Sequence, residues 1–189
     1  RIMSKHIICI GECMLEVHCT DLASIDLANK NLAGNSLAFG GDVYNTAFAI
    51  QQCGATDNRV SFLSAIGDDE FSQQMLRSWH QQGIDTEHVS ILASKQAGLY
   101  IVKTDDAGER TFTYWRNESA ARELFQSSQF PTLLETMAAP NCLYFSGISL
   151  AIMSAANRER LLHFAKKWAE SGCVVAFDSN YRPPLWSSI

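Results

Sequence analysis

Four apolar runs with the length of buried strands alternate with helical patterns along this chain, and this alternation limits the fold more than any other feature. The runs cover residues 6–13, 60–66, 142–146 and 173–178. Continuous apolar strands joined by amphipathic helices are typical of a parallel sheet with helices on both faces. The sequence therefore predicts a three-layer α/β/α fold.

Three helices can be placed from the residues at their ends. The first runs from Asp42 to about Cys53, the second follows Asp68 and Asp69, and the third follows Ser154. Aspartate and serine accept hydrogen bonds from the free amides of a first helical turn. The predicted buried faces consist of Val43, Ala47 and Ile50, then Phe71, Met75 and Trp79, and then Leu161, Leu162, Ala165, Trp168 and Ala169.

Three further stretches fit a second, smaller sheet. Residues 14–20 and 32–39 predict extra strands before the first helix, and residues 98–116 predict a hairpin that turns at residues 105–108. We interpret these strands as a lid that projects from the α/β body. The alternative is that they are edge strands of the main sheet.

Charge and targeting signals exclude several classes of protein. The chain has 20 acidic and 15 basic residues, a net charge of −5, and no basic run, which argues against a nucleic-acid partner. The early apolar run at residues 7–10 is too short for a signal peptide or a membrane span. We expect a cytoplasmic protein without a membrane partner.

The six cysteines form no C-x-x-C pair, and four lie inside apolar runs. We interpret them as buried, reduced thiols, as in cytoplasmic proteins. The alternative is a metal site made by Cys9, Cys13 and Cys19 with His6 and His18. We predict no metal ligands in this chain.

The first candidate binding site is the turn at Gly40 and Gly41, followed by Asp42 and Asn45. Paired glycines let the backbone approach a ligand closely. Carboxylate and amide groups at a helix start suit vicinal hydroxyls, because together they accept and donate hydrogen bonds. The alternative is a plain glycine turn before a capping aspartate.

The second candidate lies in the predicted hairpin. Strand periodicity places Phe112, Tyr114 and Arg116 on one face, with Tyr100 on the partner strand. An aromatic floor with an arginine at its edge suits a small ligand with a carboxylate. The alternative is a solvated arginine beside packing aromatic rings.

The third candidate, residues 178–182, follows a predicted buried strand directly. Asp178, Asn180 and Arg182 would therefore lie at a carboxyl end of the sheet, where open α/β sheets bind ligands. These side chains could contact phosphate, metal or carboxylate. The alternative is an Asx turn before Pro183.

Two common nucleotide-binding motifs are absent from the sequence. The sequence has no phosphate loop of the G-x-x-x-x-G-K-[ST] type and no G-x-G-x-x-G after the first strand, so a dinucleotide-binding dehydrogenase is not expected. Several segments form a characteristic series along the chain: residues 10–14, Gly40 to Asp42 with Asn45, and residues 66–69, 98–100, 108–112, 114–118, 146–148 and 178–186. Through these segments the chain, from residue 6 onwards, resembles the ribokinase-like (PfkB) carbohydrate kinases, and within them the branch that phosphorylates 2-keto-3-deoxygluconate.

The resemblance implies a ribokinase-like domain over residues 6–189, with lid strands within 14–39 and 98–116. It implies ATP- and Mg²⁺-dependent phosphorylation of a sugar acid. The residues implied to contact the sugar acid are Gly40, Gly41, Asp42, Asn45, Tyr100, Tyr114, Arg116 and Arg182. Asn180 and Arg182 would lie near the nucleotide phosphates.

One departure from the family is large. The family's catalytic base is the aspartate of a G-A-G-D motif, and this sequence contains no such motif. We therefore expect the N-terminal part of a kinase, truncated before its nucleotide-binding half, with no catalytic residue of its own.

Two alternative functions remain open, and the oligomeric state is a separate expectation. The chain could come from another PfkB sugar kinase, such as a fructokinase, whose neutral substrate would not need both Arg116 and Arg182. It could also be a non-catalytic fragment that binds sugar acids. We expect a homo-oligomer formed through the lid or an exposed sheet edge.

Overall fold

The computed structural model describes residues 4–19, 36–54, 57–105, 107–126 and 130–186. In chain order the strands are β1 (His6–Ile10), β2 (Met14–Cys19), β3 (Ser36–Gly40), β4 (Arg59–Leu63), β5 (Ala65–Gly67), β6 (Ser90–Leu92), β7 (Gly98–Thr104), β8 (Arg110–Trp115), β9 (Cys142–Ser146) and β10 (Val174–Asp178). The α-helices are α1 (Asp42–Cys53), α2 (Glu70–Gln81), α3 (Phe130–Thr136), α4 (Gly147–Ile152) and α5 (Ala155–Glu170). None of the helices described is both long enough and apolar enough to cross a membrane.

The main sheet has the strand order β10-β9-β1-β4, and all of its pairs are parallel. Successive residues of β1 point to opposite faces. Ile8 and Ile10 pack in the core that includes α5, whereas Cys9 packs in the core that includes α1 and α2. The predicted three-layer α/β/α fold is confirmed.

The lid strands form a sheet of their own, with the order β3-β2-β7-β8. The β2–β7 pair is parallel and the other two pairs are antiparallel. They are therefore not edge strands of the main sheet. Of the predicted strands, residue 20 and residues 32–35 lie outside the described residues.

The helix boundaries follow the predicted caps, but two of the predicted faces contain errors. Asp69 accepts a hydrogen bond from the amide of Ser72, and Ser154 caps α5 in the same way. In α2 the buried residues are Ser72, Met75 and Trp79, while Phe71 is 51% exposed. Ser72 faces inwards because its hydroxyl accepts from the Gly67 amide and donates to Asp69.

The face of α5 is partly different too. Leu161, Ala165 and Trp168 are buried, whereas Leu162 and Ala169 are exposed. A five-residue face spans too wide an arc of the helix, and only its central stripe contacts the sheet.

Two strands differ from the prediction. The run at 60–66 is divided into β4 and β5, because β5 leaves the main sheet and pairs with β6, with the Ser64 carbonyl accepting from the Ser90 amide. Of the run predicted as a buried strand at 173–178, only Cys173 is buried, whereas Val174, Val175 and Phe177 are exposed. Among the described strands, β10 has a neighbour only on its β9 side.

Four of the six thiols are buried, namely Cys9, Cys13, Cys19 and Cys173. Burial raises the pKa of Cys9 to about 12. The expectation of buried thiols is wrong for Cys53, which is exposed, and Cys142 is only partly buried.

The corrected face of α2 can be tested by alanine substitution. Met75→Ala should lower the free energy of unfolding by about 2–5 kcal/mol, because it leaves a cavity beside Trp79. Phe71→Ala, four residues away on the same helix, should change it by about 0.5 kcal/mol or less. Urea unfolding of both variants measures this, and equal losses would contradict the assigned face.

Candidate functional site

A cavity of about 560 Å³ opens between the lid and the carboxyl ends of the main-sheet strands. Residues that follow β1 and β10 reach it, as expected for an open α/β sheet. Eight of the nine residues predicted for the site line this cavity, and Gly40 is the one that does not. The lining residues are Glu12, Met14, Gly41, Asp42, Asn45, Tyr100, Arg110, Thr111, Phe112, Tyr114, Arg116, Ile148, Asn180 and Arg182.

The glycine turn brings the start of α1 to the cavity. A Cβ atom at Gly41 would collide with the Glu12 carbonyl oxygen, so only glycine permits this approach between the turn and the segment after β1. No side chain caps α1 at Gly41, which leaves first-turn amides available to ligand oxygens. Asp42 and Asn45 project from this turn at the cavity wall.

Asp42 connects the glycine turn to the segment after β10. The side-chain Nδ2 of Asn180 donates to Asp42 Oδ2 over 2.9 Å, and the backbone amide of Asn180 donates to Asp178 Oδ1 over 3.0 Å. Asn180 has a φ of 26°, a conformation that asparagine tolerates better than most residues. The first and third predicted candidates therefore meet at one wall of the cavity.

Gly40 does not line the cavity but lies behind its wall, against Tyr100 and Glu16. A Cβ there would collide with the Tyr100 hydroxyl and the Glu16 carboxylate. The Tyr100 hydroxyl donates to Glu16, and Glu16 also contacts His18. Burial, reinforced by Glu16, raises the pKa of Tyr100, so this phenol stays protonated and its oxygen can still accept a hydrogen bond from a ligand.

The hairpin forms the aromatic floor that the sequence predicts. Tyr100 lies opposite Tyr114 in the β7–β8 register, with ring centroids 5.6 Å apart. Phe112 stacks on Tyr114 at 6.2 Å. Tyr100 is buried and Tyr114 is half exposed, so the floor runs from the interior of the lid to its open edge.

Arg116 lies where the prediction places it, but it already has a partner. It is 7% exposed and forms an ion pair with Glu12, which is 3% exposed. Ser119 Oγ donates to the other Glu12 oxygen over 2.5 Å. The Arg116 Nε atom is buried and has no hydrogen-bond partner among the described residues.

Arg182 also lines the cavity, and it is exposed. A neighbouring cavity of about 420 Å³ shares Phe112, Tyr114, Arg116, Ile148 and Arg182 with the first one. Arg116 and Arg182 therefore face the same space from the lid and from the body, and Arg110 of the lid also lines the first cavity.

Sequence reasoning missed Glu12, Ser119 and Glu16. Their partners are 104, 107 and 84 residues away, so no local pattern joins them. A signal was available for Glu12: it stands in an apolar stretch directly after a buried strand, where a carboxylate requires a partner.

The described residues contain no group of three or more His, Cys, Asp and Glu side chains that could hold a metal ion.

Fold and cavity together define an α/β protein with a polar cavity between its main sheet and its lid. The profile of the pfkB family carbohydrate kinases matches residues 4–188, and the chain belongs to this family. A 2-dehydro-3-deoxygluconokinase of Escherichia coli (strain K12) is 43% identical over 187 residues, covering 98% of this chain and 57% of that protein. The enzyme of the same name from Dickeya dadantii (strain 3937) is 41% identical, covering 98% of this chain and 56% of its own length.

A solved structure shows the same fold. The PfkB protein from Polaromonas sp. JS666 superimposes with a TM-score of 0.79 at 22% identity, covering 98% of this chain and 59% of that one. The chain thus spans little more than half the length of the proteins it matches.

The Asp42–Asn180 contact can be tested by a double-mutant cycle. Asp42→Ala and Asn180→Ala should show a coupling energy of about 0.5–1.5 kcal/mol in the free energy of unfolding, since each removes the same hydrogen bond. Asn58 serves as a control, because it lies beside Lys5 at the opposite edge of the main sheet. The losses of unfolding free energy caused by Asn58→Ala and Asn180→Ala should be additive. Additivity in both cycles would mean that the contact is not formed in solution.

Proposed function

We propose that this chain forms the sugar-binding part and lid of a kinase that transfers the γ-phosphoryl group of ATP to 2-keto-3-deoxygluconate. The observation that carries the proposal is that Arg116 and Arg182 line one cavity together with an aromatic floor and the Asp42–Asn45 turn. Guanidinium groups suit carboxylates, and Asp and Asn side chains suit sugar hydroxyls. The names of the relatives support this substrate.

Each side chain has a separate task in this proposal. Asp42 and Asn45, with the backbone at Gly41, bind and orient the hydroxyls of the sugar. Tyr100 and Tyr114 cover its apolar side and exclude water, and Gly40 allows Tyr100 to approach. Arg116 and Arg182 bind the carboxylate.

Phosphoryl transfer in this family implies a nucleotide donor and a divalent metal, which we propose to be ATP and Mg²⁺. Asn180 and Arg182, at the carboxyl end of β10, would lie beside the nucleotide phosphates. The metal would neutralise phosphate charge.

A neutral-sugar kinase, such as a fructokinase, is the second candidate. The observation in its favour is the Glu12–Arg116 ion pair, because Glu12 offsets the charge that would attract an acid. Arg182 forms no ion pair within the described residues and is exposed, which is why we favour the acid.

We further propose that the protein acts in the cytoplasm, where its buried thiols would stay reduced. We also propose that it self-associates through the lid or the β10 edge. Exposed apolar side chains support both contacts: Leu37 and Trp115 on the lid, and Val174 and Phe177 on β10.

Arg116→Ala in the full-length kinase tests the substrate. It should raise KM for 2-keto-3-deoxygluconate by about 10- to 150-fold, the loss of one charge-assisted hydrogen bond. KM for a neutral sugar should change little. Arg116→Lys should rescue only partly, because an ammonium group lacks the planar fork of two donors.

Two controls make this result interpretable. Arg160→Ala removes an exposed arginine on α5 and should leave both KM values unchanged. Arg182→Ala tests the second arginine in the same assay. If all variants distinguish acid from neutral sugar as wild type does, the acid-kinase proposal is wrong.

We also propose that the 189 residues alone do not catalyse phosphoryl transfer, since they lack the family's G-A-G-D motif. A general base contributes typically about 10²–10⁴-fold, and loss of the nucleotide site should remove the remaining rate. Coupled detection of ADP release measures this. Turnover with any sugar acid that a nucleotide-free control lacks would contradict the prediction.

A further inference from the structure

Glu12 has no role in the function proposed so far, although it is among the most enclosed charged groups of the described chain. It follows β1, is 3% exposed, and lies at the wall of the cavity. One carboxylate oxygen accepts from Ser119 and the other pairs with Arg116. A buried carboxylate is held in one orientation when both of its oxygens are engaged.

The Arg116 guanidinium is fixed on one side and unpaired on another. Its Nη2 atom is bound to Glu12, whereas its Nε–H has no partner among the described residues. The side chain is more than nine-tenths buried and still lines the cavity. A buried donor without an acceptor is costly, so a ligand oxygen at this point would be favoured.

The backbone of β7 packs closely against the pair at Gly98. A Cβ at Gly98 would lie 3.0 Å from Glu12 Oε1 and 3.2 Å from Arg116 Cβ. The Tyr114 ring flanks the guanidinium, with its centroid 5.9 Å from Arg116 Cζ. Carboxylate, ring and β7 backbone thus enclose Arg116 on three sides.

We propose that Glu12 is the positioning residue that holds Arg116 against the cavity, so that its free donor meets the substrate carboxylate and selects sugar acids over neutral sugars. This inference rests on the proposed function. Glu12 acts through Arg116, and its own oxygens do not bind the substrate.

The test uses the full-length kinase with Glu12→Ala and Glu12→Gln, and with Glu109→Ala, at an exposed lid position, as the matched control. Dissociation constants for 2-keto-3-deoxygluconate and for fructose are measured by calorimetry. Glu12→Ala should weaken acid binding by about 10-fold or more and change fructose binding by less than about 3-fold. Glu12→Gln should retain most of the selectivity, because an amide can accept from Arg116 and donate to Ser119.

Dependence on Arg116 separates positioning from a structural role. In an Arg116→Ala background, Glu12→Ala should cause no further loss of acid binding. Thermal unfolding of each variant shows whether it is folded. Equal weakening of acid and fructose would overturn the inference, as would a Glu12→Ala protein that keeps or gains preference for the acid.

A spectroscopic measurement does not depend on the substrate. An Arg116 Nη–H resonance, assigned by its absence in Arg116→Lys, should exchange slowly with water in wild type and in Glu12→Gln, because residue 12 accepts its hydrogen bond. It should exchange rapidly in Glu12→Ala. Unchanged exchange in Glu12→Ala would overturn positioning. If the wild type shows this protection but does not prefer the acid, the proposed substrate and the proposed selectivity are both wrong. The positioning of Arg116 by Glu12 would still be supported.

Discussion

The buried ion pair between Glu12 and Arg116 is the contact on which the relation between lid and body depends. Glu12 lies in the three-residue segment between β1 of the main sheet and β2 of the lid, and Arg116 directly follows β8. The pair therefore fixes the outer hairpin of the lid to the point where the chain leaves the main sheet. Removing one member of such a pair typically costs about 3–5 kcal/mol, because the other charge stays buried without compensation.

Much of the fold could be predicted because its signals are local. The start of α1 at Asp42 follows a glycine pair, and the β7–β8 hairpin follows from alternation around a polar turn. The errors come from tertiary contacts. Positions 71 and 72 both have the helical spacing that would place them on one face with Met75 and Trp79. The hydrogen bonds of the Ser72 hydroxyl to Gly67 and Asp69 decide that Ser72, and not Phe71, faces inwards.

The candidate site also contains residues that could be predicted from the sequence and residues that could not. Asp42, Asn45, Tyr114 and Arg116 could be predicted because each has a residue type and strand or helix position that suit ligand binding. The carboxylates behind them could not be paired in advance, because Glu12 meets Arg116 only once two sheets are assembled. For a lone acidic residue in an apolar stretch, the sequence shows that a partner is needed but not which one.

Arg116 and Arg182 lie under different electrostatic conditions at the cavity. Arg182 is exposed, so its attraction for an anion is weakened by water, and no ion pair to it is formed within the described residues. Arg116 is buried, where electrostatic interactions are stronger, but Glu12 balances its charge. In the proposed function, Arg116 would then contribute through the direction of its free Nε–H and not through net charge. A hydroxyl oxygen can also accept that hydrogen bond. Under this proposal, discrimination against neutral sugars requires both Arg182, which supplies charge, and Arg116, which supplies a fixed direction.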